Sequence, residues 1–268
     1  MRSIRIFILI VLAALLAAEP LAGASIEVRA VARAEDLPEP FCTAWAGGDI
    51  LVSDGRFLAL IGGSDRALKT TLNLPTASLK GSVIAFVPAG RDCADALVIG
   101  APALIVKNRN HYLTYGALAP RPDPSGRTAA LEAEASYADA EGRKAAVRTV
   151  YRFGAGAGRI EIVSTLTNSG TAPFEGLGFS LYFNAQSSYY FNPYNKERFP
   201  DLNFRVYQKP KHALGWLNLN PVPAGGRRWP GTLAPGASVS ARYILIAGET
   251  PEAVTASIYR ELKAETAT

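Results

Sequence analysis

The chain is short of the residues that build most catalytic and metal centres. Its 268 residues hold two histidines, His111 and His212, and two cysteines, Cys42 and Cys93. A three-histidine or cysteine-rich zinc site within one chain is thereby excluded, and no Cys-x-x-Cys pair is present for thiol exchange. The Gly-x-Ser-x-Gly turn that presents a hydrolase nucleophile is missing. The glycine-rich turn Gly62-Gly-Ser-Asp65 lacks the following Gly-Lys-Ser/Thr of a phosphate loop. Asp92, Asp95 and Asp139 do not fall at the spacing of a calcium-binding EF-hand. No cofactor and no metal is therefore expected. Long apolar runs are equally scarce: Ile6–Ala18 at the N-terminus is the single one, and no other segment is long enough to cross a bilayer.

That run follows Arg2 and Arg5 and precedes the small-residue signal Ala22-Gly23-Ala24. The arrangement is that of a secretory signal peptide cleaved after Ala24, with an uncleaved N-terminal anchor as the alternative. The expected location is periplasmic or secreted, with residues 25–268 as one β-sandwich domain and an internal boundary conceivable at 120–127. In an exported chain an even cysteine count suggests a Cys42–Cys93 disulfide, worth about 4 kcal/mol in the chain-entropy model. The net charge of +5 is mild and scattered. It gives no basic groove for nucleic acid, and no stable membrane insertion is expected after signal cleavage.

What is present is strand periodicity. Leu131, Ala133, Ala135 and Tyr137 alternate with Glu132, Glu134 and Ser136, a period of two that overrides the helix propensity of Ala and Glu. Val147–Phe153 and Ile160–Asn168 continue a three-stranded antiparallel meander, followed by Gly178–Asn184. Upstream, Asp49-Ile-Leu-Val-Ser-Asp-Gly-Arg-Phe-Leu-Ala-Leu-Ile61 reads as a hairpin turning in two residues at Asp54-Gly55. Residues 79–87 form another strand. Residues 96–106, interrupted by Gly100 and Pro102, form one bent strand or two short ones, and 112–118 a further strand. Residues 25–40 read as a lead-in. Pro120–Gly126 is turn-rich, the best site for an internal boundary or else a long loop. After Pro235-Gly236 a strand runs to Gly248. Thr250 then caps a helix with Pro251 at its first position and Ala253, Ala256, Ile258 and Leu262 as its apolar face.

Residues 184–230 differ from the rest. They carry nine aromatic residues, among them Tyr189, Tyr190, Tyr194, Trp216 and Trp229, interleaved with Asn184, Gln186, Asn192, Asn195 and Asn218. Short strands are expected at 203–207 and 214–219 and loop elsewhere. Flat aromatic faces bury the C–H faces of sugars while amides bond the hydroxyls; the same aromatics would equally form a small local core. His212 stands either in a pocket with Trp216 and a carboxylate such as Glu197 or Asp201, or exposed in a loop. His111, beside Arg109 and Asn110, is either a general base or part of a polar loop entering a strand. Glu175 is a candidate site carboxylate or a solvated one.

Three segments, Gly48–Ile61, Thr165-Leu-Thr-Asn-Ser-Gly170 and Leu233-Ala-Pro-Gly236, resemble the secreted galactose-mutarotase-like β-supersandwich domains. The resemblance implies an all-β fold, one large antiparallel sandwich over roughly residues 45–250 with a C-terminal helix, the runner-up being two successive smaller sandwiches. That superfold includes sugar epimerases, polysaccharide lyases and non-catalytic domains of exported enzymes. Its epimerases use a histidine pair with a carboxylate base, and neither His111 nor His212 aligns to that pattern. The expected function is an exported carbohydrate-binding or accessory protein of the cell envelope. The alternatives are an epimerase or lyase with His212 or His111 as base, and a structural protein that binds another protein.

Overall fold

A computed structural model describes residues 25–37, 45–66, 78–90, 97–184, 189–191, 203–221 and 229–266. The strands in chain order are β1 (Glu27–Ala30), β2 (Ile50–Ser53), β3 (Phe57–Ile61), β4 (Val83–Pro88), β5 (Leu97–Val106), β6 (Arg109–Tyr112), β7 (Ala119–Pro122) and β8 (Thr128–Ala138). They continue as β9 (Lys144–Gly154), β10 (Arg159–Asn168), β11 (Phe174–Asn184), β12 (Tyr189–Phe191), β13 (Asn203–Gln208), β14 (Ala213–Asn218), β15 (Pro230–Leu233) and β16 (Ser238–Gly248). Helix α1 (Pro251–Thr266) follows.

Two antiparallel eight-stranded sheets result. The first has the order β1-β2-β3-β4-β5-β11-β15, with β6 on β5; the second runs β12-β13-β14-β16-β10-β9-β8-β7. One apolar cluster joins them, with Val52, Phe57, Leu104 and Phe179 from the first sheet and Leu131, Tyr151, Ile162 and Tyr243 from the second. The fold is thus an all-β sandwich with a C-terminal helix, as the strand pattern and the resemblance imply. Each fully buried Leu, Ile or Phe contributes about 1.5–3 kcal/mol, and this cluster is the chief source of stability.

The meander forms as its alternation dictates. Along β8, Leu131 and Ala133 are buried while Glu134 and Ser136 are exposed. Strands β8, β9 and β10 pair in sequence. Strand β11 does not join them: it crosses to the first sheet and lies between β5 and β15. A period of two fixes which face of a strand is apolar, but not which sheet it enters.

Other expectations need correction. Asp54-Gly55 does not make a two-residue turn, because Ser53 pairs with Leu58 and leaves a four-residue loop. The Asp54 carboxylate accepts from the Arg56 and Phe57 N–H groups instead, at 2.8 and 2.9 Å. Residues 25–40 are not a plain lead-in, since Glu27–Ala30 pairs with β2 as an edge strand. Of the two alternatives for the next run, the single strand forms, over Leu97–Val106; its first half pairs with β4 and its second half with β6. The change of partner falls at Gly100-Ala-Pro102. The next strand is Arg109–Tyr112, reached through a two-residue turn in which Lys107 and Asn108 have φ of 48° and 63°; residues 113–118 hold only an isolated bridge at Tyr115. Pro120–Gly126 forms the end of β7 and the turn into β8. Tyr189–Phe191, expected as loop, pairs with β13.

Helix α1 starts as expected, with Thr250 Oγ1 accepting from the Ala253 N–H at 3.2 Å. Its buried residues are Val254 and Ile258, with Leu262 partly buried beside them. Ala253 and Ala256 are exposed. The helix packs on the outer face of β13, β14 and β16 against Phe204, Val206, Leu217, Ile244 and Ile246. The putty-like fit needs Gly215, which lies under Val254 and Ile258. The N-terminal segment 1–24, Cys42 and Cys93 lie outside the described residues. Among the described residues no helix is long and apolar enough to cross a membrane.

Candidate functional site

The second sheet extends past β16 through β14, β13 and β12, and there its inner face turns from apolar to mixed aromatic and polar. Register sets the composition. Leu245 pairs with Trp216, and Trp216 with Arg205, so these three form one row across β16, β14 and β13. One row along, Tyr243 pairs with Asn218; on the other side, Leu214 pairs with Tyr207, which pairs with Tyr190. Leu245, Tyr243, Leu214 and Tyr207 belong to the main core. Trp216 is half-buried against it and Arg205 is exposed.

Trp216 is held between two partners. Its indole stacks on Tyr243, with ring centroids 6.2 Å apart and an interplanar angle of 20°. The Arg205 guanidinium carbon lies 5.8 Å from the Trp216 ring centroid, a cation–π contact. Phe183 of β11 meets Tyr207 at 5.3 Å. Trp229 is also half-buried against the core, and its carbonyl accepts from the Phe179 N–H at 2.9 Å. Burial pushes the Tyr243 phenol well above its ordinary range, although a bond to the Leu181 backbone acts in the opposite direction. This phenol is therefore neutral beneath the indole. Asn218 Oδ1, on the same face as Trp216, accepts from the Asn220 N–H at 3.0 Å.

Of the aromatic candidates, the structure thus brings Trp216 and Trp229 to the rim of the main core. Tyr189 and Tyr190 lie on β12, their side chains outside the description, and Tyr194 and Asn192 lie outside the described residues. Arg205 was absent from the sequence-derived set. Its signal was available in the period of two, since Arg205 and Tyr207 share a face, but only the β13–β14 register places Arg205 against Trp216.

The two histidines are far apart in the topology. His212 closes the four-residue β13–β14 turn, where its carbonyl accepts from the Lys209 N–H at 2.9 Å, and its side chain is 2 % exposed. It is therefore not an exposed loop residue. Glu197 and Asp201, its conceivable carboxylate partners, lie outside the described residues. His111 lies within β6 and meets the edge of Tyr137 across the sandwich, with ring centroids 5.0 Å apart. The Tyr137 hydroxyl donates to Asp139 at 3.2 Å. Arg143 in turn grips Asp139 through Nε at 2.7 Å and through Nη2 at 2.7 Å.

The electrostatics of this group are those of a closed clamp. Desolvation alone would raise the Asp139 carboxyl, but the Arg143 guanidinium and the Arg143 and Glu141 N–H groups outweigh it and hold it below the usual range. Desolvation first, and Asp139 second, raise the Tyr137 phenol. Arg143 itself is raised, chiefly by its bond to Asp139. His111 reaches this carboxylate only through the Tyr137 ring. Glu175 is exposed on β11 opposite Thr232, beside a bulge at Gly176, and no histidine stands near it in the register of either sheet. Among the described residues, no group of three or more metal-ligating side chains occurs.

Comparison with known proteins yields a likeness of fold. No family model matches the sequence, and no curated protein matches it. Among solved structures, the chain is similar to a protein assigned as an aldose 1-epimerase from Klebsiella pneumoniae subsp. pneumoniae MGH 78578, at 8% identity and a TM-score of 0.41, over 89% of this chain and 95% of that one. It is also similar to a polysaccharide lyase, at 12% identity and a TM-score of 0.32, over 73% of this chain and 33% of the other. A family 36 α-galactosidase from Geobacillus stearothermophilus gives 12% identity and a TM-score of 0.36, over 78% and 40%. The chain thus spans about a third of the lyase and 40% of the galactosidase. The resemblance to the mutarotase-like sandwiches is a weak one, of fold.

Proposed function

We propose that the chain is an exported carbohydrate-binding β-sandwich that takes a neutral sugar at the aromatic flank of its second sheet. The observation that supports this most is the placement of Trp216: partly buried at the rim of the core, backed by the neutral Tyr243 ring and bordered by Arg205 and Asn218 on the same face. The indole is fixed on a strand with Tyr243 stacked on it and the exposed Arg205 guanidinium over its ring, so a sugar takes it as a flat apolar platform by displacing the Arg205 side chain. The neighbouring guanidinium and the Asn218 amide nitrogen supply hydrogen-bond donors at the platform's border.

The test is a glycan array, followed by titration calorimetry of any hit, on the full exported chain and on Trp216→Phe, Trp216→Ala and Arg205→Ala. Circular dichroism checks the fold of each. Trp216→Phe keeps a flat face and is expected to retain binding. Trp216→Ala is expected to weaken it by about ten-fold or more, on the usual worth of an aromatic contact. Absence of binding to any neutral glycan, or equal binding by Trp216→Ala, defeats the reading.

A further inference from the structure

The outer face of the second sheet divides in two. Helix α1 covers β13, β14 and β16. Over β7–β10 the same face holds a hollow of about 430 Å³ lined by Arg121, Asp123, Ala130, Arg152, Arg159 and Glu161, with Thr128, Gly154 and Ala157 at its margin. Register explains the hollow. Arg121 pairs with Ala130, Ala130 with Arg152 and Arg152 with Glu161, one row on one face across four strands. Adjacent strands lie about 4.8 Å apart, so Arg121 and Arg152 straddle Ala130 at about 10 Å. The alanine methyl is the floor between two long walls, and Gly154 and Ala157 extend that floor to the β9–β10 turn.

The charges in the hollow are unevenly committed. Arg121 is exposed and has no ion-pair partner among the described residues. Arg152 is 53% exposed, and its contact with Glu161 Oε2 is 3.6 Å, too long for a hydrogen bond. Glu161 gives its other oxygen to Arg242 Nε at 2.5 Å. Arg159 is paired with Glu261 of α1. Asp123 accepts from Thr128 Oγ1 at 3.2 Å and from Ser125, so its carboxylate is fixed at the margin. One unpaired guanidinium, Arg121, and one held only in a loose, half-exposed ion pair, Arg152, therefore stand beside two fixed carboxylates.

That mixture selects a ligand. An inorganic anion would meet Asp123 and Glu161 as well as the arginines. A neutral sugar would leave Arg121 uncompensated and Arg152 only loosely paired. A sugar carrying one carboxylate satisfies both kinds of group. We propose that this hollow is a second binding site, for an acidic saccharide unit: Arg121 and Arg152 take the uronate carboxylate, while Asp123 and Glu161 accept its hydroxyls. The saccharide class rests on the carbohydrate reading of the chain; the position does not, because the hollow lies on the opposite face of the sheet from Trp216.

The two sites are separable by experiment. Calorimetry on the full chain uses oligogalacturonate, its methyl ester and inorganic sulfate. The acid form is expected to bind with an affinity that falls as salt rises. Each of Arg121→Gln and Arg152→Gln should weaken it by about ten-fold, the worth of a charge-assisted hydrogen bond. Both side chains are exposed, so the fold should survive, and Trp216→Ala should leave this binding unchanged. No binding of the acid form, or equal binding by the Arg121→Gln/Arg152→Gln double variant, overturns the proposal. Sulfate binding as tight as oligogalacturonate, lost in the same double variant, also overturns it and leaves a bare anion site. Acid binding with no neutral-glycan binding would sink the Trp216 reading and uphold this one.

Discussion

The Asn168 carboxamide donates to the Leu233 carbonyl at 3.0 Å, and so ties together two segments that lie 65 residues apart. The same amide nitrogen donates to Ala172 O at 2.9 Å, and its Oδ1 accepts from the Gly170 N–H at 3.0 Å. The backbones join as well: Asn168 N–H donates to Ala237 O and Gly236 N–H to Asn168 O, at 3.0 and 2.8 Å. Asn168 is fully buried. It holds the bend at which the chain leaves the second sheet for the first. Asn168→Ala removes three bonds and strands buried carbonyls, and should cost about 2–4 kcal/mol. Asn168→Asp should cost more, since it replaces that donor with a carboxylate oxygen facing two carbonyl acceptors. Urea unfolding with an unchanged slope measures both, and a loss under about 1 kcal/mol for Asn168→Ala would refute this role.

This contact also shows what was legible in the sequence. The segments Thr165–Gly170 and Leu233–Gly236 that carry the resemblance are strand ends that meet at Asn168. The faces of β8–β10 followed from alternation alone, because Leu131, Val147 and Ile162 repeat at the strand period. Sheet membership did not. Strand β11 alternates no differently, and only the Asn168 bend and its partners β5 and β15 send it across. The candidate site divides in the same way. Trp216 and Trp229 stood out by residue type. Arg205, and the row Arg121–Ala130–Arg152–Glu161, depend on cross-strand register, which residue types do not encode. Val254 was passed over for Ala253 and Ala256 because the helix face depends on where Gly215 opens the sheet.

Gly81 packs directly against the Tyr115 ring. Its φ is +75°, and a Cβ placed on it would lie 2.4 Å from the Tyr115 ring. Its carbonyl accepts from the Tyr151 hydroxyl. Gly81→Ala combines backbone strain with a clash against a buried ring, and should cost about 3 kcal/mol or more. Gly81→Asn separates the two causes. Asparagine tolerates the left-handed backbone but not the clash, so it should lose as much as alanine. Recovery of most of the stability by Gly81→Asn in a thermal melt would show that strain alone matters.

Three buried phenols give an alkaline limit to stability. Burial raises Tyr115 and Tyr243 and pushes Tyr151 well above the ordinary phenol range; the bonds of Tyr115 to Thr149 and Ser164 oppose the rise only in part. The folded state therefore keeps protons that the unfolded chain releases. Stability from these groups is complete below pH 10 and falls as pH rises past it, by up to about 1.4 kcal/mol per pH unit for each tyrosine. Denaturant midpoints measured from pH 8 to 11.5 should be flat and then drop. The Tyr115→Phe variant should show a shallower fall. An unchanged slope in that variant would contradict the assignment.

Gly215 is where the helix can be loosened without touching the main core. A Cβ there would lie 2.6 Å from Val254 Cγ1 and 3.1 Å from Ile258 Cδ1. Val254 is β-branched and stiff at χ1 in a helix, so it cannot turn its methyl aside cheaply. Gly215→Ala should therefore lift α1 from β14 and cost about 1–3 kcal/mol, the usual range for an added methyl in a packed site. The gain of alanine over glycine in strand propensity is smaller than this. Amide exchange should quicken along α1 while the amides of β8 and β9, which lie beyond the strands under the helix, keep their protection. Combining Gly215→Ala with Val254→Ala removes the clash, so the double variant should lose less than the two single losses added together. If the losses simply add, Gly215 is not the residue that seats the helix.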